Sequence, residues 1–459
     1  MAHQFSPTIL REYDIRGIVG DTLTEEDAYA LGRSYAALAK GEGAKSIAVG
    51  RDGRTHSGML EAALIRGLTE GGIDVVQTGM GPSPMLYFAT HYLNVDGGMQ
   101  VTGSHNPADY NGFKMLLKGR SVFGEEIQAL GRRSALGEWT SGNGTVEEVD
   151  IRGAYVDRLL EGFSGNAFRI GWDSGNGAAG PILDMMVERL PGHQHVIFSK
   201  VDGTFPNHHP DPTVEKNLAD LKALVAREQL DFGIAFDGDG DRIGAVDGKG
   251  RVIWGDQLLM ILAKPVLDEQ PGATIIADVK ASQVLFDRVA ELGGKPLMWK
   301  TGHSLIKSKM RETGAPLAGE MSGHIFFRHR WYGFDDALYA AVRLIEAVSR
   351  SGLSLTELMD AMPKTTATPE MRFQVDEARK FAIVDEVRER LSADRARVDS
   401  TDGVRVTTED GWWLLRASNT QDVLVGRAEA SDEAGLDRLV AQIDSQLAKS
   451  GVKRTEAAH

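Results

Sequence analysis

The sequence has no cysteine among its 459 residues, which excludes disulfide bonds and thiolate catalysis. It has no apolar run close to the ~20 residues that a membrane-spanning helix needs. Basic residues are also fewer than acidic ones: the sequence has 51 Lys and Arg against 65 Asp and Glu, which gives a net charge of −14. That balance disfavours nucleic acid and anionic membranes as partners. Small anionic ligands in a locally basic cleft remain compatible with it.

The composition is that of a soluble globular protein, with 42% hydrophobic and 25% charged residues. The length predicts three or four domains. The first five residues lack the charged and apolar regions of a secretory signal, so the cytoplasm is the expected compartment.

Strand-like and helix-like segments alternate along most of the chain, which predicts parallel sheets with helices on their faces. The first helix has Thr24 as its expected N-cap and Asp27 three residues later, a capping-box pattern. A Thr/Ala/Pro-rich segment, 363–369, is expected to be a linker to a smaller final unit. We therefore predict four domains, with the bounds 1–148, 149–254, 255–364 and 365–459.

A loop with nucleophilic character follows the predicted strand 97–101. It contains Ser104 and His105 and is closed by Pro107. Loops at the carboxyl ends of parallel strands commonly carry function, so the Ser104 hydroxyl is placed to carry a transferable group. A plain turn that ends the strand is the alternative. The loop has no G-x-S-x-G elbow, so hydrolase chemistry is not supported.

Three carboxylates, Asp237, Asp239 and Asp241, alternate with glycines. Oxygen ligands that converge in this way suit Mg²⁺ or Ca²⁺. An EF-hand is excluded because Arg242 and Gly248 occupy its sixth and twelfth positions. An acidic turn is the alternative, although three uncompensated carboxylates would repel one another. Arg242 can provide positive charge for a phosphorylated ligand.

Two further loops carry polar side chains. The first has Glu320, Ser322 and His324, which can form hydrogen bonds to sugar hydroxyls. The second, 416–420, offers a guanidinium, two hydroxyls and an amide, a set suited to phosphate. Taken singly, each loop is also compatible with an ordinary surface turn.

A G-x-G-x-x-G pattern spans 175–180, with Asp202 about 20 residues further on, as in dinucleotide-binding proteins. A nicotinamide oxidoreductase would leave the serine and aspartate loops without a role. We therefore interpret these glycines as sites of close strand–helix packing.

The serine, aspartate, Glu/Ser/His and Arg/Ser/Asn/Thr loops fall one per predicted domain, in that order. This arrangement resembles the α-D-phosphohexomutase superfamily, and within it the bacterial phosphomannomutase/phosphoglucomutase branch. The resemblance implies an α/β fold of three similar domains with mixed, mostly parallel sheets, plus a smaller α+β C-terminal domain, around a central cleft. The segments that carry it are 12–17, 102–107, 237–242, 319–324 and 416–420.

The resemblance implies that Ser104 carries a phosphoryl group and that Mg²⁺ is held by Asp237, Asp239, Asp241 and an oxygen on Ser104. Hexose 1- and 6-phosphates, of mannose and/or glucose, would interconvert through a hexose 1,6-bisphosphate that reorients in the cleft and also serves as activator. The implied catalytic residues are Ser104, Lys114, His324, Arg16 and Arg242. The implied substrate-binding residues are Tyr13, Arg16, His105, Lys114, Arg242, Lys280, His303, Glu320, Ser322, His324, Arg416, Ser418, Asn419 and Thr420.

Phosphoglucosamine mutase is the alternative within the superfamily, and a non-enzymatic sugar-phosphate-binding protein is the alternative outside it. The expected partners are small phosphosugars, with neither nucleic acid nor membrane, and the chain is expected to be a monomer. One position departs from the family pattern: Asp422 stands where proline is frequent, which adds negative charge beside the phosphate loop.

Overall fold

The computed structural model describes residues 2–394, 396–419 and 421–453. Within these residues the strands form four sheets, and each sheet lies inside one of the four predicted ranges. We call the corresponding parts of the chain units 1 to 4.

Unit 1 is built on a mixed sheet of order β1-β5-β4-β2-β3-β7, with β6 paired to β5. Its strands are β1 Ile15–Ile18, β2 Ser46–Arg51, β3 Asp74–Met80, β4 Gly97–Val101, β5 Tyr110–Leu117, β6 Arg120–Ser121 and β7 Val146–Glu148. Its helices are α1 Glu25–Gly41, α2 Ser57–Glu70, α3 Ser83–Tyr92 and α4 Glu125–Leu136, after a 3₁₀ turn at Pro7–Ile9. The predicted capping box is confirmed: Thr24 Oγ1 accepts from the amide of Asp27, and the Asp27 side chain accepts from the amide of Thr24.

Unit 2 has the strand order β12-β11-β10-β8-β9. Its elements are α5 Arg152–Leu159, β8 Phe168–Asp173, α6 Gly180–Val187, β9 Gly192–Ile197, a 3₁₀ turn Glu215–Leu218, α7 Ala219–Glu228, β10 Phe232–Phe236, β11 Ile243–Asp247 and β12 Val252–Ile253. A Cβ on Gly180 would lie 1.9 Å from the Ser199 carbonyl oxygen, so the start of α6 packs closely against the backbone that follows β9. This close approach agrees with our interpretation of the 175–180 glycines as packing sites.

Unit 3 has the strand order β14-β13-β15-β16. Its elements are α8 Gly255–Glu269, β13 Thr274–Asp278, α9 Gln283–Glu291, β14 Lys295–Trp299, α10 His303–Thr313, β15 Leu317–Gly319, β16 Ile325–Phe327, α11 Ala337–Ser351 and α12 Leu355–Asp360. Strands β14, β13 and β15 are parallel, and β16 returns antiparallel to β15. The Glu/Ser/His loop joins β15 to β16.

Unit 4 is an antiparallel sheet of order β17-β22-β21-β20-β19, with β18 paired to β22. Its elements are β17 Thr366–Ala367, β18 Met371–Gln374, α13 Lys380–Ala393, β19 Arg397–Asp399, β20 Val404–Thr407, β21 Gly411–Ala417, β22 Val423–Ala430 and α14 Glu433–Lys449. The expectation that 363–369 is a plain linker was wrong in part, because Thr366 and Ala367 pair with Ala430 and Glu429 on β22.

The largest apolar core joins units 2 and 3 and takes in α3 of unit 1. Tyr155 on α5 also donates a hydrogen bond to Asp336, which caps α11, over 2.8 Å. Units 1 and 4 have their own cores. A small apolar contact of Val279 with Trp412 and Leu414 connects unit 4 to unit 3. Within the described ranges, no helix combines the length and the apolarity needed to cross a membrane.

Candidate active site

Ser104 lies three residues beyond the end of β4 and is buried. Its backbone adopts a left-handed conformation, with φ of +49°. The Ser104 hydroxyl donates to Asp237 Oδ2 over 3.2 Å and lies 3.1 Å from Nδ1 of His105. The serine loop of unit 1 therefore rests directly on the aspartate loop of unit 2.

The aspartate loop, between β10 and β11, presents three buried carboxylates with oxygens within 4.8 Å of one another. Burial, together with the charges of Asp239 and Asp241, raises the pKa of Asp237 well above its usual value. Asp239 Oδ1 accepts no hydrogen bond from the described residues. A crowded set of carboxylate oxygens with an unused acceptor suits a hard divalent cation such as Mg²⁺. The residues present therefore fit the predicted metal.

Lys114 on β5 supplies positive charge to the same carboxylates. Its ammonium lies 2.6 Å from Asp239 Oδ2 and 2.5 Å from Asp241 Oδ2. Burial opposes the charge, but the two carboxylates outweigh it and raise the pKa of Lys114 well above its usual value. Ser83, at the start of α3, also donates to Asp239. Lys114 is therefore a protonated donor here and can act as a base only after losing that proton.

His324 lies between two carboxylates in the loop that joins β15 to β16. Its Nδ1 is 2.9 Å from Glu320 Oε2, and its Nε2 is 3.3 Å from Asp241 Oδ1. Burial lowers the pKa of His324, but Asp241 and Glu320 outweigh that effect and raise it to about 9. Ser322 Oγ lies 3.1 Å from Nδ1. His324 is thus cationic at neutral pH and is a proton donor.

Two predicted cations, Arg242 and Arg16, lie in the same region. The backbone amide of Arg242 donates to Asp237 Oδ1 over 3.1 Å, and its Nε lies 3.3 Å from Nε2 of His324. Arg16 on β1 pairs with Asp14, while its own Nε is buried without a hydrogen-bond partner in the described part of the chain. Both guanidiniums add positive charge beside the serine loop.

Two of the side chains predicted to face the sugar, His303 and Lys280, belong to unit 3. His303 begins α10, with its ring centroid 5.6 Å from that of His324 and its Nδ1 3.4 Å from Asp335 Oδ2. Lys280 makes a different kind of contact, because its ammonium lies 3.2 Å from Glu370 in unit 4. Lys280 therefore links units 3 and 4, and its contact with the sugar stays a prediction.

The loop after β21 closes the cleft from the side of unit 4. Arg416 Nε donates to Asp402 Oδ2 over 2.9 Å, and Asn419 Nδ2 donates to the Tyr13 hydroxyl over 2.5 Å. The amide of Ser418 donates to the carbonyl of Val423 over 3.0 Å. Thr420, which we also predicted to bind phosphate, lies outside the described residues.

Several polar residues of this region were not singled out from the sequence: Asp52, Arg54, Ser83, Lys307, Asp335 and Asp402. Asp52 and Arg54 had a usable signal, since they follow the carboxyl end of β2, which pairs in parallel with β3 and β4, and functional loops collect at such ends. The others gave no local signal, because their partners are distant in sequence.

Family models match most of the chain. The four family models described as phosphoglucomutase/phosphomannomutase alpha/beta/alpha domains I, II and III and C-terminal domain match residues 7–136, 154–250, 254–366 and 370–446, respectively.

Curated relatives align along nearly the whole chain. Phosphomannomutase/phosphoglucomutase of Pseudomonas aeruginosa is 46% identical over 96% of this chain and 95% of its own length. Phosphoglucomutase of Neisseria gonorrhoeae is 44% identical over 94% of this chain and 95% of its own.

A crystal structure of a phosphoglucomutase/phosphomannomutase family protein from Burkholderia thailandensis superposes with a TM-score of 0.93 at 42% identity. The superposition covers 98% of this chain and 99% of the other. The four predicted loops, their convergence and these matches along nearly the whole chain lead to one conclusion: the chain belongs to the phosphoglucomutase/phosphomannomutase family of α-D-phosphohexomutases.

Proposed function

We propose that this phosphohexomutase interconverts the 1- and 6-phosphates of mannose and glucose and that Ser104 carries the phosphoryl group. The observation that carries the proposal is the 3.2 Å contact between Ser104 Oγ and Asp237 Oδ2. It places a nucleophilic hydroxyl against a carboxylate set that suits a divalent cation, with Lys114, Arg242 and His324 around it.

The reaction comprises two phosphoryl transfers. In the first, a sugar hydroxyl attacks phosphorus on phospho-Ser104, the bond from phosphorus to Ser104 Oγ breaks, and a hexose 1,6-bisphosphate forms. After that intermediate reorients, Ser104 Oγ attacks the phosphorus of its other phosphate, and the bond from that phosphorus to the sugar oxygen breaks. Phospho-Ser104 is regenerated and the isomeric hexose monophosphate leaves with a free hydroxyl. Such transfers depend mainly on positioning and charge stabilisation.

Each transfer moves a proton from the attacking hydroxyl and delivers one to the departing oxygen. His324 and Lys114 both hold protons because buried carboxylates surround them. They therefore suit protonation of the departing oxygen, and once deprotonated they can accept the proton of the next attacking hydroxyl. Arg16 and Arg242 stabilise negative charge on the phosphoryl group.

Asp237, Asp239 and Asp241, with an oxygen on Ser104, are the residues that would hold Mg²⁺. When bound there, the cation would neutralise charge on the transferring phosphoryl group. Asp237 then needs no proton to relieve its repulsion from Asp239 and Asp241.

Recognition of the sugar phosphate is divided between two units. Glu320 and Ser322, with His303 and Lys280 beside them, contact the sugar hydroxyls. Unit 4 binds the phosphate that is not reacting. The residues assigned to this second role are Arg416, Ser418, Asn419 and Thr420. Separate binding sites for the sugar hydroxyls and for the non-reacting phosphate allow the bisphosphate to bind in either orientation.

The hydrogen bond of Asn419 to Tyr13 holds unit 4 against unit 1. Such closure excludes water, which would otherwise take the phosphoryl group.

The partners are small phosphosugars, with the 1,6-bisphosphate as activator, and neither nucleic acid nor membrane is bound. We place the protein in the cytoplasm as a monomer.

The test is a coupled assay with mannose 1-phosphate or glucose 1-phosphate, Mg²⁺ and a trace of glucose 1,6-bisphosphate. Both sugars are expected to turn over, and S104A is expected to abolish turnover. S141A, at an exposed serine of the same unit, should leave it unchanged. Wild-type turnover by S104A would overturn the proposal, and a strong preference for glucosamine 1-phosphate would favour the alternative mutase.

A further inference from the structure

A buried guanidinium lies beneath the serine loop. Arg54 follows β2 and is 2% exposed. Its Nη2 donates to the carbonyls of Ser104 and Asn106 over 2.8 and 2.7 Å, and its Nη1 donates to those of Pro107 and Tyr110 over 2.5 and 3.0 Å. One side chain thus binds three backbone oxygens of the serine loop and that of Tyr110, the first residue of β5.

Asp52 holds the other end of the same loop. Its Oδ2 accepts from Thr102 Oγ1 over 2.8 Å and from the amide of Gly103 over 3.1 Å. Its Oδ1 accepts from the amide of Arg54 over 3.0 Å. The carboxylate therefore fixes the entrance of the loop, while the guanidinium fixes its middle and its exit.

These contacts bear directly on the conformation of Ser104. A left-handed backbone is unfavourable in a residue with a side chain and persists only where the surroundings impose it. The amide of Ser104 donates to Thr102 Oγ1 over 2.9 Å, and its carbonyl accepts from Arg54. Both peptide groups that flank the Ser104 Cα are therefore held, and this directs Oγ towards Asp237.

The packing of the loop also depends on Arg54. A Cβ on Gly103 would lie 2.4 Å from Arg54 Nε, so the loop lies flat against the guanidinium. From unit 2, the ring of Phe205 covers Arg54 with its centroid 5.1 Å from Cζ. A Cβ on Gly238, in the aspartate loop, would lie 2.4 Å from the Ser104 carbonyl oxygen. The same contacts therefore set the position of the serine loop relative to the carboxylates.

We propose that Arg54 is a positioning residue for phosphoryl transfer, which holds the serine loop so that Ser104 Oγ faces the aspartate loop. The inference rests on the proposed role of Ser104. Arg54 acts through the loop backbone, so its loss should slow the phosphoryl-transfer step and leave binding of the sugar phosphate unchanged. Misplacement of a reacting group by about 1 Å can reduce turnover about 100-fold.

The test compares R54K and R54A with R51K. Arg51 lies on β2 but is half-exposed, and its Nε pairs with Glu61 over 3.0 Å. Lysine keeps the charge but lacks the planar fork, so R54K should lower kcat about 100-fold with KM changed by less than about twofold. R51K should match the wild type. If R54A does not fold, kcat and KM of R54K test the inference by themselves.

Chemical rescue separates positioning from folding. Guanidinium at tens of millimolar should raise the kcat of R54A about tenfold or more, because the ion can occupy the vacated site and bind the same carbonyls. It should not raise the kcat of S104A or R51K. Turnover of R54K within about threefold of the wild type would overturn the inference, as would a rise in KM at unchanged kcat or a folded R54A without rescue.

Mass mapping of phosphate on the wild-type enzyme keeps the two proposals apart. Phosphate on Ser104 with wild-type kinetics in R54K refutes the role of Arg54 only. Phosphate on another residue refutes the proposed function, and the role of Arg54 falls with it.

Discussion

The Tyr13 hydroxyl accepts a hydrogen bond from Asn419 Nδ2 over 2.5 Å, although the two residues are 406 positions apart in the chain. The same hydroxyl donates to the carbonyl oxygen of Thr301 over 2.8 Å. One phenol thus connects units 1, 3 and 4 at the cleft. Burial raises the pKa of Tyr13 far above its usual value, so it stays a neutral donor at any physiological pH.

Asn419→Ala should weaken this closure. Loss of one hydrogen bond, worth about 0.5–1.5 kcal/mol, should raise the KM for glucose 1-phosphate roughly 2- to 13-fold. It should also speed the loss of phosphate from the phosphoenzyme to water, measured by intact mass over time. Gln374→Ala, at an exposed side chain of unit 4, is the control. An unchanged KM together with an unchanged hydrolysis rate would contradict the closing role.

Asp239→Asn should weaken the cation site, because an amide supplies less charge than a carboxylate. We expect chelation of divalent cations to stop turnover and added Mg²⁺ to restore it. In D239N the Mg²⁺ concentration for half-maximal rate should rise at least about tenfold. Asp220→Asn, at an exposed carboxylate of unit 2, should not move that concentration. An identical Mg²⁺ requirement in D239N and the wild type would rule out this site.

Asp336 should make stability depend on pH. Burial raises its pKa to about 7, although the Tyr339 amide and the Tyr155 hydroxyl donate to it. The folded protein therefore binds this proton more tightly than the unfolded chain, where the carboxyl titrates near 3.8. Its contribution to stability is complete below pH ~4 and is lost as the pH rises through about 7.

The measurement is Tm between pH 5 and 8 for the wild type and Asp336→Asn. Asparagine can still cap α11 but does not titrate, so the fall of Tm with rising pH should be smaller in the variant. Equal slopes in the two proteins would mean that Asp336 does not titrate in this range.

Arg405 anchors unit 4 to unit 3. Its Nη1 donates to the carbonyls of Val279 and Ala281 over 2.6 and 2.8 Å, and its Cζ lies 3.6 Å from the centroid of the Trp412 ring. Burial lowers the pKa of Arg405 to about 10, which still leaves it charged at neutral pH.

Arg405→Ala leaves two buried carbonyls unpaired and should destabilise the protein by about 3 kcal/mol, seen as a lower Tm. Arg372→Ala, at an exposed arginine of the same unit, should stay within about 0.5 kcal/mol of the wild type. If the two variants had the same Tm, Arg405 would not be an anchor.

Much of the fold could be predicted because its signals are local. The Thr24 capping box lies within one helical turn, and strands such as Phe232–Phe236 are short apolar runs bounded by turn residues. The strand Thr366–Ala367 was missed because it forms only by pairing with β22, some 60 residues further on. Non-local pairing leaves no mark on the local sequence.

The site divides in the same way. Ser104, Asp237 and His324 were identified from loop composition and from the order of the loops. Arg54 and Asp402 were not, although both contact predicted residues. Their partners are 50 and 14 positions away, respectively, and only the fold makes them neighbours.

The sequence by itself determined which chemical groups the protein has and in what order: one hydroxyl, three carboxylates, a Glu/Ser/His loop and an Arg/Ser/Asn/Thr loop. The tertiary structure decided the protonation states of these groups. His324 and Lys114 hold protons because the fold buries them against the carboxylates of Asp239, Asp241 and Glu320. Burial weakens the screening of charge by water, so distances between residues far apart in the chain set the pKa values on which the chemistry depends.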